Sequence, residues 1–167
     1  MAIRREAREC AVQLLFQLDM NPSKDLDATF KAFWSLNSRI NDPRIRTFTE
    51  TLVRGVRENI ASIDSTIKKS AEHWDIKRMG VIDRNVMRMA IYEMLFCSDI
   101  PPAVSINEAV DIAKYFSCRE SGRFVNGILD RIRKDFNKAP KMPERKYSAL
   151  VPHALETAMK NKNVNYG

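Results

Sequence analysis

The stretch that most restricts the fold is Val81 to Cys97. Its apolar residues Val86, Met89, Ala90, Ile91, Met94, Leu95 and Phe96 fall on more than one face of a helix. A helix covered on several sides must be central, with other elements built around it. The flanking patterns are helical too. Ile3 to Met20, wound at about 100° per residue, places Ile3, Ala7, Cys10, Ala11, Leu14 and Leu18 on one side. Leu26, Phe30, Phe33 and Trp34 mark a second helix, with Asp25 near its start. Asp42-Pro43 pairs an N-cap residue with a proline at the first helical position. The third helix then turns Ile45, Phe48, Leu52, Val53 and Val56 inward, and the rhythm runs on through Ile60, Ile63 and Ile67. The pattern leaves open whether residues 42–71 form one bent helix or two, with Asn59 or Ser62 as the break.

Glu72 to Gly80 reads as the connection between two halves, and Ser98 to Pro102 as a stop, since two prolines cannot continue a helix. Ser105-Ile-Asn-Glu108 matches a capping box with Val104 as its staple, opening a helix that buries Ala109, Ile112 and Ala113. Ser117 to Gly122 reads as a short polar turn. The last core helix, Arg123 to Phe136, buries Val125, Ile128, Leu129 and Ile132. No run alternates with period two, and no Asn-Gly or Asp-Gly joins β-branched runs. The expectation is an all-α fold of about seven helices in two packed bundles over residues 1–136. Residues 137–167 form a basic C-terminal appendix, flexible or weakly helical, through Lys138, Pro140, Lys141, Pro143, Arg145 and Lys146.

A formal charge of +7 points to an anionic partner, most often nucleic acid, with a bare solubility effect as the competing reading. No segment approaches the roughly 18 consecutive apolar residues of a membrane span, and the charged N-terminus from Arg4 onward is not that of a signal peptide. Cys10, Cys97 and Cys118 are odd in number and far apart, which favours reduced, packed thiols in the cytoplasm.

The inventory argues against catalysis. Only His73 and His153 occur, no CxxC pair is present, and no glycines build a GxGxxG or Walker loop. No enzyme activity, metal or cofactor is expected. What remains is a binding surface. Opposite the inward stripe of the first helix lie Arg5, Arg8, Val12 and Phe16, a mixture of guanidinium groups and a ring suited to phosphates and stacked bases. Cys118-Arg-Glu-Ser-Gly-Arg-Phe124 opens a helix whose free N–H groups can receive a phosphate, with Arg119 and Arg123 adding charge and Phe116 and Phe124 flanking it. For the first patch the plainer alternative is a packed Phe16 with solvated arginines, and for the second a plain helix start.

Four blocks in order carry a resemblance. Arg4-Arg5-x-Ala-Arg8-x-x-Ala11-x-x-Leu14-Leu15-Phe16 is followed by Asp83-Arg84-x-x-x-Arg88-x-Ala90-x-Tyr92-Glu93. Then come Ile106-Asn107-Glu108-Ala109-Val110-x-x-Ala113-Lys114 and Phe124-Val125-Asn126-Gly127-x-Leu129. Residues 3 to 133 thereby resemble the NusB family of bacterial transcription antitermination factors. The resemblance implies binding of the boxA element of nascent ribosomal RNA, jointly with ribosomal protein S-ten (NusE), in an assembly with other Nus factors and RNA polymerase. Carried over by position, it nominates Arg4, Arg5, Arg8, Phe16, Phe116, Glu120, Arg123 and Phe124 for RNA, and Asp83 for the protein partner. Glu93, Asn107, Glu108 and Asn126 read instead as caps and hydrogen-bonded struts between helices. Glu6 interrupts a basic run, Phe16 stands where Tyr is common, and Glu120 where Asp is expected. Two further readings compete: a NusB-like domain serving an enzyme that modifies ribosomal RNA, and a helical adaptor without RNA. A homodimer that hides the basic-aromatic face also stays open.

Overall fold

Capping residues mark where several helices begin. In the computed structural model, which describes residues 2–72 and 74–138, every regular element is helical. α1 spans Ala2–Met20 and α2 Leu26–Leu36, where the Asp25 carboxylate accepts from the Ala28 N–H at 3.0 Å. α3 spans Pro43–Glu58, with Asp42 accepting from the Arg44 N–H at 2.9 Å. α4 follows over Ile60–Ser70, so residues 42–71 form two helices. Asn59 ends the first: its side chain donates to the Gly55 carbonyl at 2.7 Å, and its own carbonyl accepts from Ile63. A 3₁₀ turn at Ile76–Arg78 leads into α5 (Val81–Phe96), α6 (Pro102–Phe116) and α7 (Arg119–Lys138).

α5 is the centre. Every residue from Asn85 to Glu93 is buried, and the helix packs against α1, α3, α4, α6 and α7. One group, α1 and α3 with α2 tied to α3 through Trp34–Glu50 and Arg54–Asp27, and a second, α4 with α6 and α7, therefore share α5 between them. Val86, Met87, Met89, Ala90 and Ile91 are essentially inaccessible to solvent. Truncating one of the larger of these to alanine costs about 2–5 kcal/mol. At the crossing of α3 and α5 the Tyr92 ring lies directly on Gly55, where a Cβ would come within 2.1 Å of ring carbons. A charged network closes the far end of the core. Arg88 donates from Nε and Nη2 to Asp64, at 2.7 and 2.9 Å, and from Nη1 to Asp19 at 3.1 Å, which also receives Arg84 at 2.6 Å.

Two helix starts differ from expectation. α6 opens at Pro102, not at a Ser105 cap. Proline at the first position lacks the N–H that would otherwise need a cap, and Ser105, now inside the helix, turns its hydroxyl to Glu93. α7 opens at Arg119 and runs to Lys138, so Glu120 to Arg123 are helical and the polar turn shrinks to Ser117 and Cys118. Of the three cysteines, Cys10 and Cys97 are packed in the interior as expected, whereas Cys118 is exposed. Burial, with the nearby carboxylates of Glu6 and Glu9, pushes the Cys10 thiol up to about 11. Of the basic appendix at 137–167, all but its first two residues lies outside the described residues.

Candidate nucleic-acid interface

The outward face expected of α1 divides in two. Arg5 and Phe16 keep solvent access, at 30% of the side chain and 39% of the residue respectively. Arg8 and Val12 do not, because α1 is clasped between α3 and α5 and buries two faces. Arg8 donates to both oxygens of Glu93, at 2.9 and 2.7 Å, and the Ser105 hydroxyl donates to the same carboxylate at 3.2 Å. A guanidinium fork on a carboxylate is the geometry in which a buried pair can offset its own desolvation. Arg8 thus joins α1 to α5 and α6 rather than facing solvent. Glu93 is a strut between helices.

Arg5 lies at the rim of the same network. It donates to Glu9 at 3.0 Å and to Glu108 at 3.1 Å, with Asp111 at 3.6 Å. Burial works against its charge, but the hydrogen bonds to Glu9 and Glu108 outweigh that and raise the guanidinium above its ordinary range. Glu108 is accordingly a link between α6 and α1. Arg4 is more open, donating to Asp99 at 2.8 Å in a solvent-exposed pair.

The second patch surrounds the start of α7. Phe116 is half-buried at the end of α6, edge-on to exposed Tyr115 at 5.1 Å between ring centroids. Glu120 and Arg123 are exposed in the first turns of α7, and Phe124 is half-buried. Trp74, 53% exposed, leans on Phe124 at 5.5 Å and 52°. Sequence reasoning assigned Trp74 to a connection and passed over Tyr115. The missed signal was a large ring inside a polar stretch. Ser121 donates to Ser117 at 2.9 Å, and its hydrogen bond to the Cys118 sulfur draws that thiol below its ordinary range. α6 spans from one patch to the other, carrying Glu108 and Asp111 at Arg5 and Tyr115 at Phe116. The stretch between the patches is therefore acidic, which limits how closely a phosphate backbone can follow it.

Asp83 stands in the first turn of α5, half-buried. Burial raises its carboxyl above the usual carboxylate range, an effect that the nearby Ser121 hydroxyl partly counters. Its Oδ1 is buried with no hydrogen-bond partner among the described residues. Asn107 and Asn126 correct the sequence reading: both are exposed on α6 and α7, and among the described residues neither side chain bonds to another helix. Glu93 and Glu108 have partners on a neighbouring helix, whereas these amides face water. Among the described residues no group of three or more His, Cys, Asp or Glu could hold a metal ion, and no helix is long and apolar enough to cross a membrane.

Comparison with known proteins places this geometry. Residues 5–134 match the family model described as the NusB family. The chain is 44% identical over 137 residues to the transcription antitermination protein NusB of Desulfosudis oleivorans, covering 81% of this chain and 88% of that protein. It is 47% identical over 133 residues to the protein of the same name from Desulforapulum autotrophicum, covering 80% and 92%. Among solved structures it resembles T. maritima NusB, with a TM-score of 0.70 and 37% identity over 87% of this chain and 96% of that one. It also resembles a chain in the crystal structure of antitermination factors NusB and NusE in complex with double-stranded RNA. There the TM-score is 0.73 and the identity 28%, over 81% and 98%.

Proposed function

The chain belongs to the NusB family, and on that premise we propose that it is a transcription antitermination factor that binds single-stranded boxA-type RNA together with ribosomal protein S-ten (NusE). The RNA reading is supported by one arrangement above all: an arginine-bearing α1 face and an aromatic patch at the start of α7, joined by α6. Arg4, Arg5 and Arg123 neutralise phosphates, while Phe16, Phe116 and Phe124 offer rings to splayed bases. Glu120 accepts from a base amino group or weakens binding, and so selects among sequences. Arg8 serves indirectly, by holding α1 against α5 and α6. Asp83, at the opening of α5, takes the protein partner. The solved complex of NusB and NusE with double-stranded RNA, one chain of which this chain resembles, supports RNA and NusE as the two kinds of partner. Other Nus factors and RNA polymerase complete the assembly, which acts on nascent ribosomal transcripts in the cytoplasm. The role is one of binding, without cofactor or catalysis, and a homodimer would compete for the same basic face.

The test is a titration of boxA-type RNA with and without the ribosomal partner, at two salt concentrations. Affinity falls steeply with salt, as counterion release requires, and the partner strengthens it. Binding that ignores salt, or ignores the partner, contradicts the proposal.

A further inference from the structure

The positive charge of α1 is not evenly balanced over its surface. On the α6 side, Arg5 is held by Glu9, Glu108 and Asp111, and Arg8 is buried against Glu93. The α3 side differs. An open cleft of about 550 Å³ runs between the first turn of α1 and the first turns of α3. Arg4 and Arg44 line it, Thr47 and Thr51 bring hydroxyl groups, and half-buried Phe48 supplies an apolar surface. Among the described residues no carboxylate lines the cleft. The two guanidinium groups have acidic partners outside it: Arg4 donates to Asp99 at 2.8 Å, and Arg44 forks onto Asp42 at 3.1 and 2.8 Å. Arg44 is 71% exposed and Arg4 50%, so both pairs sit in water, where a competing anion exchanges with them readily. The Arg4 guanidinium also lies 5.5 Å from the centre of the Phe48 ring, so that cation and ring form one continuous surface.

From this we infer that the cleft is a further RNA subsite. It takes a nucleotide of a single strand leaving the α1 face. Arg4 and Arg44 hold its phosphates, the Thr47 and Thr51 hydroxyls meet its sugar oxygens, and its apolar body lies against Phe48. The size falls within the range of small-ligand sites, about 300–1,000 Å³. A 2′-hydroxyl, both donor and acceptor, matches threonine hydroxyls that can serve either way. Arg4 belongs to both the α1 face and the cleft, which gives the strand a continuous cationic path and favours RNA over an acidic segment of protein. This inference rests on the RNA reading above and extends its site across α1 to α3, away from the carboxylates of α6.

The experiment uses the full chain and nested single-stranded RNAs: a boxA-type core, and the same core lengthened by a few nucleotides at either end. Wild type holds one lengthened RNA several-fold tighter than the core and with a steeper salt dependence. Arg44→Gln abolishes that gain and lowers the slope of log affinity against log salt for the long RNA by about one, leaving the core unchanged. Thr47→Val reduces the gain without altering the slope. Equal affinity for core and lengthened RNAs overturns the subsite, as does an Arg44→Gln variant that weakens both alike. If Arg44→Gln leaves every RNA titration unchanged and shifts the sedimentation of the protein alone, the cleft receives a second copy of the chain and the inference fails. Failure of wild type to bind even the core would instead remove the RNA reading itself.

Discussion

Arg8 forks onto the Glu93 carboxylate, donating from Nη2 and Nε at 2.7 and 2.9 Å, with 3% and 0% of the two side chains exposed. This contact crosses from α1 to α5, and Ser105 of α6 adds a third helix to it. An arginine that the family pattern places among RNA contacts is, in this chain, a bolt between helices.

Removing one partner leaves the other charge buried and alone. Arg8→Ala is therefore expected to destabilise the fold by about 3–5 kcal/mol, read from urea denaturation. Arg8→Met with Glu93→Leu should recover a large part of the loss, because two well-packed apolar chains replace the pair. An Arg8→Ala protein with unchanged stability would show that the pair contributes nothing.

Arg5 gives the opposite expectation. Its carboxylate partners compete with any phosphate, so Glu108→Gln should tighten RNA binding by up to about 1 kcal/mol, the scale of a partly exposed ion pair. Arg5→Ala should weaken it and reduce its salt dependence. Filter-binding or anisotropy titrations of both variants decide the matter, and weaker binding by Glu108→Gln would contradict the competition.

Asp83 sets a pH dependence. Burial raises its carboxyl in the folded chain above the ordinary 3.8, so the ionised form is disfavoured by folding. This residue's destabilising contribution is complete above its folded-state value. It is relieved as pH falls through that value and is gone below 3.8. Asp83→Asn should therefore stabilise the protein at neutral pH and remove this rise on mild acidification, in thermal melts across the acid range. It should also weaken the contact with the ribosomal partner while sparing RNA binding.

Gly55 carries a steric expectation. A Cβ there meets the Tyr92 ring at 2.1 Å, and both lie in a packed crossing of α3 and α5. Gly55→Ala should cost about 1–3 kcal/mol despite the better helix propensity of alanine. A second change, Tyr92→Leu, should return part of it. A more stable Gly55→Ala protein would mean that the two helices part freely.

The residues that were legible in the chain are those whose signals are local. Asp42-Pro43 opens α3 where capping chemistry puts it, and the many-sided apolar run Val81 to Cys97 becomes the central helix. Arg8 was not legible, because helical period distinguishes apolar from polar faces but does not reveal a carboxylate 85 residues away. Ser105 misled for a related reason. Its spacing from Glu108 satisfies the capping pattern, yet Pro102 opens the helix a turn earlier and the hydroxyl is drawn to Glu93. Asn107 and Asn126 share residue type with buried struts, and only packing shows that they face water.

The two tryptophans occupy opposite environments, and that makes the protein its own optical instrument. Trp34 is 7% exposed, with its indole N–H on Glu50 at 2.9 Å, whereas Trp74 is 53% exposed against Phe124. Trp34 is expected to emit toward the blue and to stay shielded until the helices around it unfold, and Trp74 to emit toward the red, open to collisional quenchers such as iodide. A strand settling on Phe124 would screen Trp74 and leave Trp34 untouched, so occupancy and unfolding can be read from one unlabelled sample as separate colours.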